Sequence, residues 1–215
     1  MRFHLVVGLT SLRHTARCGT FCTVAKSVLP KLPEQVVLKA GEPHPAKLLP
    51  DDLMRACEIR HTKGSGPGGQ HRNKVQTAIV VTHTPTSYTG AASESRSQQA
   101  NLGNAIFRLR LRLALKCRTA NAVGDGDAPL IPSKLWASRL RGGKLAMNPN
   151  HADFPAVLAE ALDCIWWQGD VKAASELLGV STSQMVKLLA REPAALQLTN
   201  SVRASKGLLP LRSTK

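Results

Sequence analysis

The alternation of apolar and polar positions predicts three short strands in the central part of the chain. Residues 57–61 alternate, and residues 75–83 alternate again with one strongly apolar face, which is the period of a half-buried strand. Residues 84–87 form a turn signal, and a short partner strand is predicted over 88–92. The single apolar face indicates a small sheet that packs against another element.

A long amphipathic helix is predicted after the strands, from about Ser97 to Arg118. Its apolar stripe consists of Leu102, Ala105, Ile106, Leu109 and Leu113. A basic stripe stands beside it, formed by Arg108, Arg112 and Lys116 and widened by Arg110 and Arg118. This basic stripe fits a solvated outer face as well as it fits a contact surface for phosphates.

The chain has helix periodicity again from Asp153 to Ala190. Within this region Gly179 supplies a tight bend, and Ser181 with Gln184 forms a capping box for the next helix. This stretch of sequence resembles a helix-turn-helix hairpin, although simple helix packing explains it equally well. The predicted fold class is therefore α+β, with a small sheet packed on a long helix and a mostly helical C-terminal extension.

Two segments without either period are interpreted as linkers. Proline is frequent over 31–50, and it fixes φ and lacks an amide hydrogen, so regular structure is not expected there. The basic run Arg141–Lys144 is expected to be flexible and to become ordered on RNA. The predicted organisation is a leader over 1–30, a Pro-rich linker over 31–50, a domain over 51–118, a flexible basic linker over 119–152, and a helical region with a basic tail over 153–215.

The charge balance points to an anionic partner. The chain has 215 residues, with 29 Lys and Arg against 14 Asp and Glu, which gives a formal net charge of +15. Such an excess favours nucleic acid or an anionic membrane. No apolar run is long enough to span a bilayer, and the second helix of the hairpin offers only Lys187 and Arg191 to duplex DNA. We therefore expect neither a membrane nor DNA as the partner.

The five cysteines include no Cys-x-x-Cys pair, and their number is odd. Neither a zinc framework nor a disulfide scaffold follows from such a pattern. No metal, nucleotide or other cofactor is predicted.

The first 30 residues have the composition of an organelle transit peptide. They contain basic and hydroxylated residues, and the first acidic residue of the chain is Glu34. The apolar piece over 5–9 is too short for a secretory signal core. Mitochondrial import is the favoured interpretation; a bacterial cytoplasmic protein with a basic leader, or a plastid protein, is the alternative.

The most distinctive stretch of the chain is residues 60–76, which contain a glycine-rich loop with basic residues on both sides. Glycine lets bare backbone approach a partner closely, and Lys63, Arg72 and Lys74 indicate that this partner is anionic. The glycine spacing does not fit a dinucleotide fingerprint, and no Gly-Lys-Ser/Thr closes the loop as in a phosphate-binding P-loop.

The order of the residues in this loop is more specific than their composition. Gly68-Gly69-Gln70 followed by Asn73-Lys74 resembles the peptidyl-transferase-centre loop of class I peptide chain release factors. The resemblance continues through the next strand, the turn at Pro85-Thr86, the stretch Ser93–Gln98 and Asn101 in the long basic helix, and it covers about Cys57 to Arg118.

The resemblance implies hydrolysis of the ester that joins a nascent peptide to transfer RNA on the ribosome. The implied catalytic residues are Gly68, Gly69 and Gln70. In the family the backbone amide of the motif glutamine donates a hydrogen bond to the oxyanion, and the glycines allow the required backbone geometry. The implied contacts with ribosomal RNA are Lys63, Arg72, Lys74, Arg108, Arg112 and Lys116. Methylation of Gln70 and the oligomeric state stay open.

The chain also departs from the pattern of full-length release factors. No codon-reading segment is recognisable, and the sequence ahead of Asp51 is too short to hold that domain. The resemblance therefore points to the short, codon-independent branch that rescues stalled ribosomes. A non-catalytic ribosomal component or large-subunit assembly factor that binds ribosomal RNA is the alternative. The intact Gly68–Gln70 motif favours hydrolysis, whereas the sparsely charged tail after Glu192 favours the alternative.

Overall fold

A computed structural model of the protein describes residues 35–39, 42–63, 75–119, 132–145 and 147–212. The elements of the first half are β1 (Val36–Leu38), a 3-10 helix (Pro45–Lys47), α1 (Pro50–Arg55), β2 (Cys57–Thr62), β3 (Ala78–His83), β4 (Tyr88–Ala92), α2 (Gln98–Lys116) and β5 (Cys117–Thr119). Those of the second half are α3 (Lys134–Arg139), β6 (Leu140–Arg141), β7 (Lys144–Leu145), α4 (Phe154–Gln168), α5 (Val171–Leu177), α6 (Thr182–Ala190) and α7 (Pro193–Ser205). The predicted α+β class, with a small sheet on a long helix and a helical extension, is confirmed.

The central sheet is antiparallel and has the strand order β2-β3-β4. Ile79 and Val81 of the middle strand are buried, whereas Val80 between them is only partly buried. This is the alternation expected of a sheet with one covered face. The ladder begins at Ala78, where it pairs with Thr62, rather than at residue 75 as predicted.

The long helix α2 covers the inner face of this sheet. The Ser97 side chain accepts a hydrogen bond of 3.3 Å from the amide of Ala100 and caps the helix, which begins at Gln98, one residue after the predicted start. Ala105, Leu109 and Leu113 of its apolar stripe are fully buried. Helix and strand approach closely at Gly90 of β4, where an added Cβ would lie 2.6 Å from the backbone nitrogen of Leu109.

The prediction that residues 31–50 lack regular structure was wrong for the part that the structure describes. Val36–Leu38 forms β1, which pairs in parallel with β5, and Pro45–Lys47 forms the 3-10 helix with Ala46 fully buried. The prolines are compatible with this order because Pro45 and Pro50 stand at first helical positions, where no amide hydrogen is required. The predicted leader over 1–30 lies outside the described residues.

The prediction of a flexible linker over 119–152 was also wrong where the chain is described. Residues 134–139 form α3, and β6 and β7 form a hairpin. Trp136 anchors this segment, since its side chain is fully buried and its Nε1 donates a 2.9 Å hydrogen bond to the carbonyl of Leu178. The burial of one large aromatic side chain offsets the ordering of a short polar segment.

Helices α4 to α7 form a second core beside the sheet domain. The predicted bend between α5 and α6 is present, with Gly179 at φ 67° and the Ser181 hydroxyl accepting from the amide of Gln184 at 3.3 Å. Helix α7 was not predicted. It changes the reading of the basic tail, because Arg203 pairs with Asp170 at 3.1 Å and Lys206 donates to the carbonyl of Gly169 at 2.8 Å.

Two arginines of the predicted basic stripe face inward and join the two cores. Arg110 is 6% exposed and donates to the carbonyl oxygens of Ala46, at 2.9 Å, and Ala152, at 2.7 Å. Arg118 is also buried, near Asp163, and burial lowers the pKa of Arg118 to about 10. The prediction that Arg110 and Arg118 widen an exposed stripe was therefore wrong. Other segments supply carbonyl acceptors for Arg110, whereas Arg118 turns back onto the carbonyl oxygens of Ala114 and Leu115 at the end of its own helix.

Within the described ranges, no helix is long and apolar enough to cross a membrane.

A buried histidine predicts that the protein loses stability as the pH falls. His44 bridges the first half, since its Nδ1 accepts from the amide of Ala46 at 3.1 Å and its Nε2 lies 3.2 Å from the carbonyl oxygen of Cys117. Burial lowers its pKa to about 3 from an ordinary 6.5. Below pH 6.5 the unfolded chain takes up a proton that the folded chain excludes, so the stability is complete above that pH and is lost as the pH falls towards 3.

We expect His44 to remove about 2 kcal/mol from the free energy of unfolding between pH 7 and pH 5. Denaturant unfolding of wild type and His44→Asn at both pH values measures this contribution. The variant will be less stable at pH 7 but will depend less on pH, whereas the exposed His61→Asn control will behave as wild type. Because burial lowers the pKa of His83 as well, a residual dependence of the same sign will remain. Equal pH dependence of His44→Asn and wild type would contradict the assignment.

Candidate functional site

The described frame of the candidate site is the edge of the sheet where β2 ends and β3 begins. Their last pair is Thr62 with Ala78, so the strand ends that flank residues 64–74 lie side by side. Lys63 follows β2 directly and is described. The other predicted loop residues lie in 64–74, outside the described residues: Gly68, Gly69, Gln70, Arg72 and Lys74.

The first turns of α2 hold the returning limb of the loop. Asn101 is fully buried, and its Nδ2 donates a 2.7 Å hydrogen bond to the carbonyl of Thr77. Gln98 acts in the same way one turn earlier, since its Nε2 donates at 2.7 Å to the carbonyl of Gln76. These two amides fix the backbone at the point where the loop rejoins the sheet.

Asn101 also organises the entry to its own helix. Its Nδ2 donates to the carbonyl of Ser95 at 2.8 Å, and its Oδ1 accepts from the amide of Ser95 at 2.9 Å. One side chain thus satisfies two segments far apart in sequence, which is the pattern of a buried polar group with all its partners. The sequence identified Gln98 and Asn101 as parts of a motif but not as supports of the loop.

The predicted basic stripe lies along the free edge of the sheet. The Arg108 guanidinium donates to the carbonyl of Ala91 at 2.8 Å and pairs with Glu94 at 2.7 Å, and this hydrogen bond lowers the pKa of the Glu94 carboxyl. Arg112 donates to the carbonyl and hydroxyl oxygens of Thr89 at 3.0 and 3.2 Å. Both arginines therefore cover unpaired carbonyls of the edge strand β4, which protects that edge from strand addition.

A groove of about 610 Å³ runs between β4 and this face of α2. Its basic lining comes from Arg108, Arg112 and Lys116, and its apolar lining includes Leu111 and Leu115. Arg108 and Arg112 are exposed, whereas Lys116 is partly buried. The three predicted RNA-binding residues of the helix are thus brought together on one accessible surface. Arg108 also lines, together with Lys63, a pocket of about 190 Å³ at the edge of the sheet.

The described part of the chain contains no group of three or more His, Cys, Asp or Glu side chains that could hold a metal ion.

Comparison with known families agrees with this geometry. Residues 53–125 match the family model of the RF-1 domain; this range begins within α1 and contains the three-stranded sheet, the segment between β2 and β3, α2 and β5. Residues 53–125 are thereby assigned to the RF-1 domain, and this part of the chain is similar to class I peptide chain release factors.

Individual relatives support the same assignment. The chloroplastic peptide chain release factor PrfB1 of Arabidopsis thaliana is 38% identical over 102 residues, which are 47% of this chain and 19% of that protein. Peptide chain release factor 1 of Acidiphilium cryptum is 39% identical over 102 residues, or 47% of this chain and 25% of that protein. Peptide chain release factor 1 of Leptothrix cholodnii is 35% identical over 122 residues, or 56% of this chain and 30% of that protein.

The chain thus spans between 19% and 30% of the length of these relatives. No solved structure matches the chain significantly.

Proposed function

We propose that the protein hydrolyses the ester bond of peptidyl-tRNA on the ribosome, without reading a codon, and so releases peptides from stalled ribosomes. The observation that carries the proposal is the position of Gly68-Gly69-Gln70 in the one segment that joins β2 to β3 within a matched RF-1 domain. The net charge of +15 supports a ribosomal RNA environment as the place of action.

The chemistry needs few groups from the protein. Water attacks the ester carbonyl, and negative charge develops on the carbonyl oxygen in the tetrahedral state. The backbone amide of Gln70 donates a hydrogen bond to that oxygen, and the glycines before it allow the backbone to present the amide. One donor of this kind is typically worth ~10²–10³ in rate.

A donor of this kind is effective only if its loop is carried on a stiff base. The hydrogen bonds from Gln98 and Asn101 to the carbonyls of Gln76 and Thr77 provide such a base at the returning limb. Lys63 at the opposite limb, together with Arg72 and Lys74, seats the loop on RNA phosphates. Arg108, Arg112 and Lys116 provide a second phosphate contact along the groove beside β4.

The proposal of codon independence rests on what surrounds the domain. The described residues ahead of it form β1 and the 3-10 helix, which belong to the same core. Those after it form a helical body that Arg110 joins to the domain. The described residues on both sides therefore pack against the RF-1 domain itself.

A release assay with stalled ribosomes tests the proposal. Ribosomes carrying labelled peptidyl-tRNA are prepared with an empty decoding site, with a sense codon, or with a stop codon. Equal release in the empty and stop-codon arms supports codon-independent hydrolysis. Release only with a stop codon would contradict codon independence, and tight large-subunit binding without any release would favour the non-catalytic ribosomal role.

We further propose that residues 1–30 direct the protein to mitochondria. The support is their basic, hydroxylated and acid-free composition. Labelled full-length chain is incubated with isolated mitochondria and, in parallel, with isolated chloroplasts, and protection from added protease is measured. Protection in mitochondria that is lost when residues 1–30 are removed supports the proposal. Protection only in chloroplasts, or in neither organelle, would contradict it.

A further inference from the structure

A basic hairpin on the helical body stands apart from the candidate site. Strands β6 and β7 pair Leu140 with Leu145 and Arg141 with Lys144. Gly142 and Gly143 form the two-residue turn at φ 54° and 71°, the positive values that tight hairpin turns require. Arg141 and Lys144 are both exposed.

The hairpin tip carries two like charges directly opposite each other. Such a cross-strand pair is destabilising rather than stabilising. Among the described residues, neither side chain makes an ion pair or a hydrogen bond with another side chain. The nearest acidic residue in sequence, Asp153, is already engaged by Arg139 and by His151. The tip is therefore an uncompensated pair of cations.

This pair is held in a fixed position. Two pairs of residues make a hairpin that is not stable alone, but Leu145 is 7% exposed and belongs to the core of the helical body. Leu140 packs against the same core. The body is in turn joined to the RF-1 domain, because Arg110 binds Ala152 and the Thr119 hydroxyl donates to Asp163 at 2.8 Å.

We propose that the β6–β7 hairpin binds the phosphate backbone of ribosomal RNA and is a second anchor of the protein on the ribosome. Two cations on paired residues beside a glycine tip offer a phosphate backbone two donors, and an anion between them reduces the repulsion of Arg141 and Lys144. Phosphate contacts of this kind position a protein without reading sequence. The inference rests on the proposed function, since it takes the ribosome as the source of the RNA.

Ribosome binding as a function of salt tests the inference. The full chain, Arg141→Ala/Lys144→Ala and the matched control Lys187→Ala/Arg191→Ala are titrated onto stalled ribosomes. The control removes the same charge from exposed positions at the end of α6. We expect the hairpin variant to bind roughly tenfold more weakly and to lower the slope of log affinity against log salt by about 1.5, because each phosphate contact contributes ~0.7–0.9. In the control variant we expect the affinity for ribosomes and the slope against salt to stay close to those of the full chain.

Two further comparisons separate the possible outcomes. Arg141→Lys/Lys144→Arg keeps the charges and is expected to bind as the full chain does; thermal unfolding is expected to show no loss of stability in any variant. Equal binding of the hairpin variant and its control would overturn the inference while leaving the proposed function intact. If the wild-type protein releases no peptide and does not bind ribosomes, both the inference and the proposed function are overturned. Binding of the protein to ribosomal RNA and to anionic vesicles is compared as well, and binding to the vesicles alone would also overturn both.

Discussion

Gly69→Ala is expected to lower peptide release by roughly 10²–10³-fold at saturating protein. The reason is that Gly69 precedes the proposed amide donor, and a Cβ removes backbone conformations that only glycine reaches readily. The loss of one oxyanion donor has this size in hydrolytic enzymes. Single-turnover release from ribosomes with an empty decoding site measures the effect. Ribosome binding is expected to change little, because the basic residues remain.

Gln70→Ala is the matched control for this prediction. It removes the side chain but keeps the backbone amide, so we expect a smaller loss of peptidyl-tRNA hydrolysis than from Gly69→Ala. The resemblance to release factors implies that the side chain restricts which nucleophile enters, so we expect added small nucleophiles to compete better with water in Gln70→Ala. Full activity of Gly69→Ala would exclude the proposed mechanism. A larger loss from Gln70→Ala than from Gly69→Ala would assign the main role to the side chain instead.

Gly90→Ala is expected to destabilise the fold by roughly 3 kcal/mol. An added Cβ would overlap the carbonyl oxygen of Ala105 and would lie 2.6 and 2.8 Å from the backbone nitrogen and Cβ of Leu109. Because the opposing atoms belong mainly to the backbone of a buried helix, they cannot move aside as a flexible side chain does. The strand must therefore separate from α2, which exposes Ile79 and Val81 beneath it. Equilibrium unfolding in denaturant measures the change.

Gly103→Ala is expected to have the opposite effect on stability; Gly103 lies in α2, the helix that Gly90 approaches. Gly103 is exposed, and an added Cβ would meet nothing within 4 Å. Alanine favours a helix over glycine by about 0.5–1 kcal/mol, so this variant is expected to be more stable than wild type. If the two substitutions had similar effects, close approach of β4 and α2 would not be the cause of the first.

The sequence predicted those elements whose signals are local. The alternation around Ile79 and Val81 and the start of the long helix near Ser97 follow from neighbouring residues, and the structure has both. The Gly68–Gln70 motif could be recognised for the same reason, since it consists of consecutive residues. Gly68, Gly69, Gln70, Arg72 and Lys74 lie within residues 64–74, outside the described ranges, so their positions and their catalytic and binding roles stay predictions.

The features that the sequence did not reveal depend on partners far along the chain. Nothing near Val36 indicates that it pairs with Cys117, and nothing near Trp136 indicates that its indole nitrogen meets the carbonyl of Leu178. Arg110 has the spacing of a surface residue, yet it is buried because the carbonyls of Ala46 and Ala152 receive it. Because such acceptors are backbone atoms, the pattern of side chains along the sequence does not predict them.

The parallel pairing of β1 with β5 has a consequence for the order in which the domain is completed. Val36–Leu38 is synthesised first, but its partner Cys117–Thr119 follows only after the sheet and α2 have been made. Thr119 is itself held from α4, by Asp163 and by a 2.9 Å hydrogen bond from Trp167 Nε1 to its carbonyl. Until translation has passed Thr119, the earliest described strand has no partner strand, whereas the separate β2-β3-β4 sheet is already able to form.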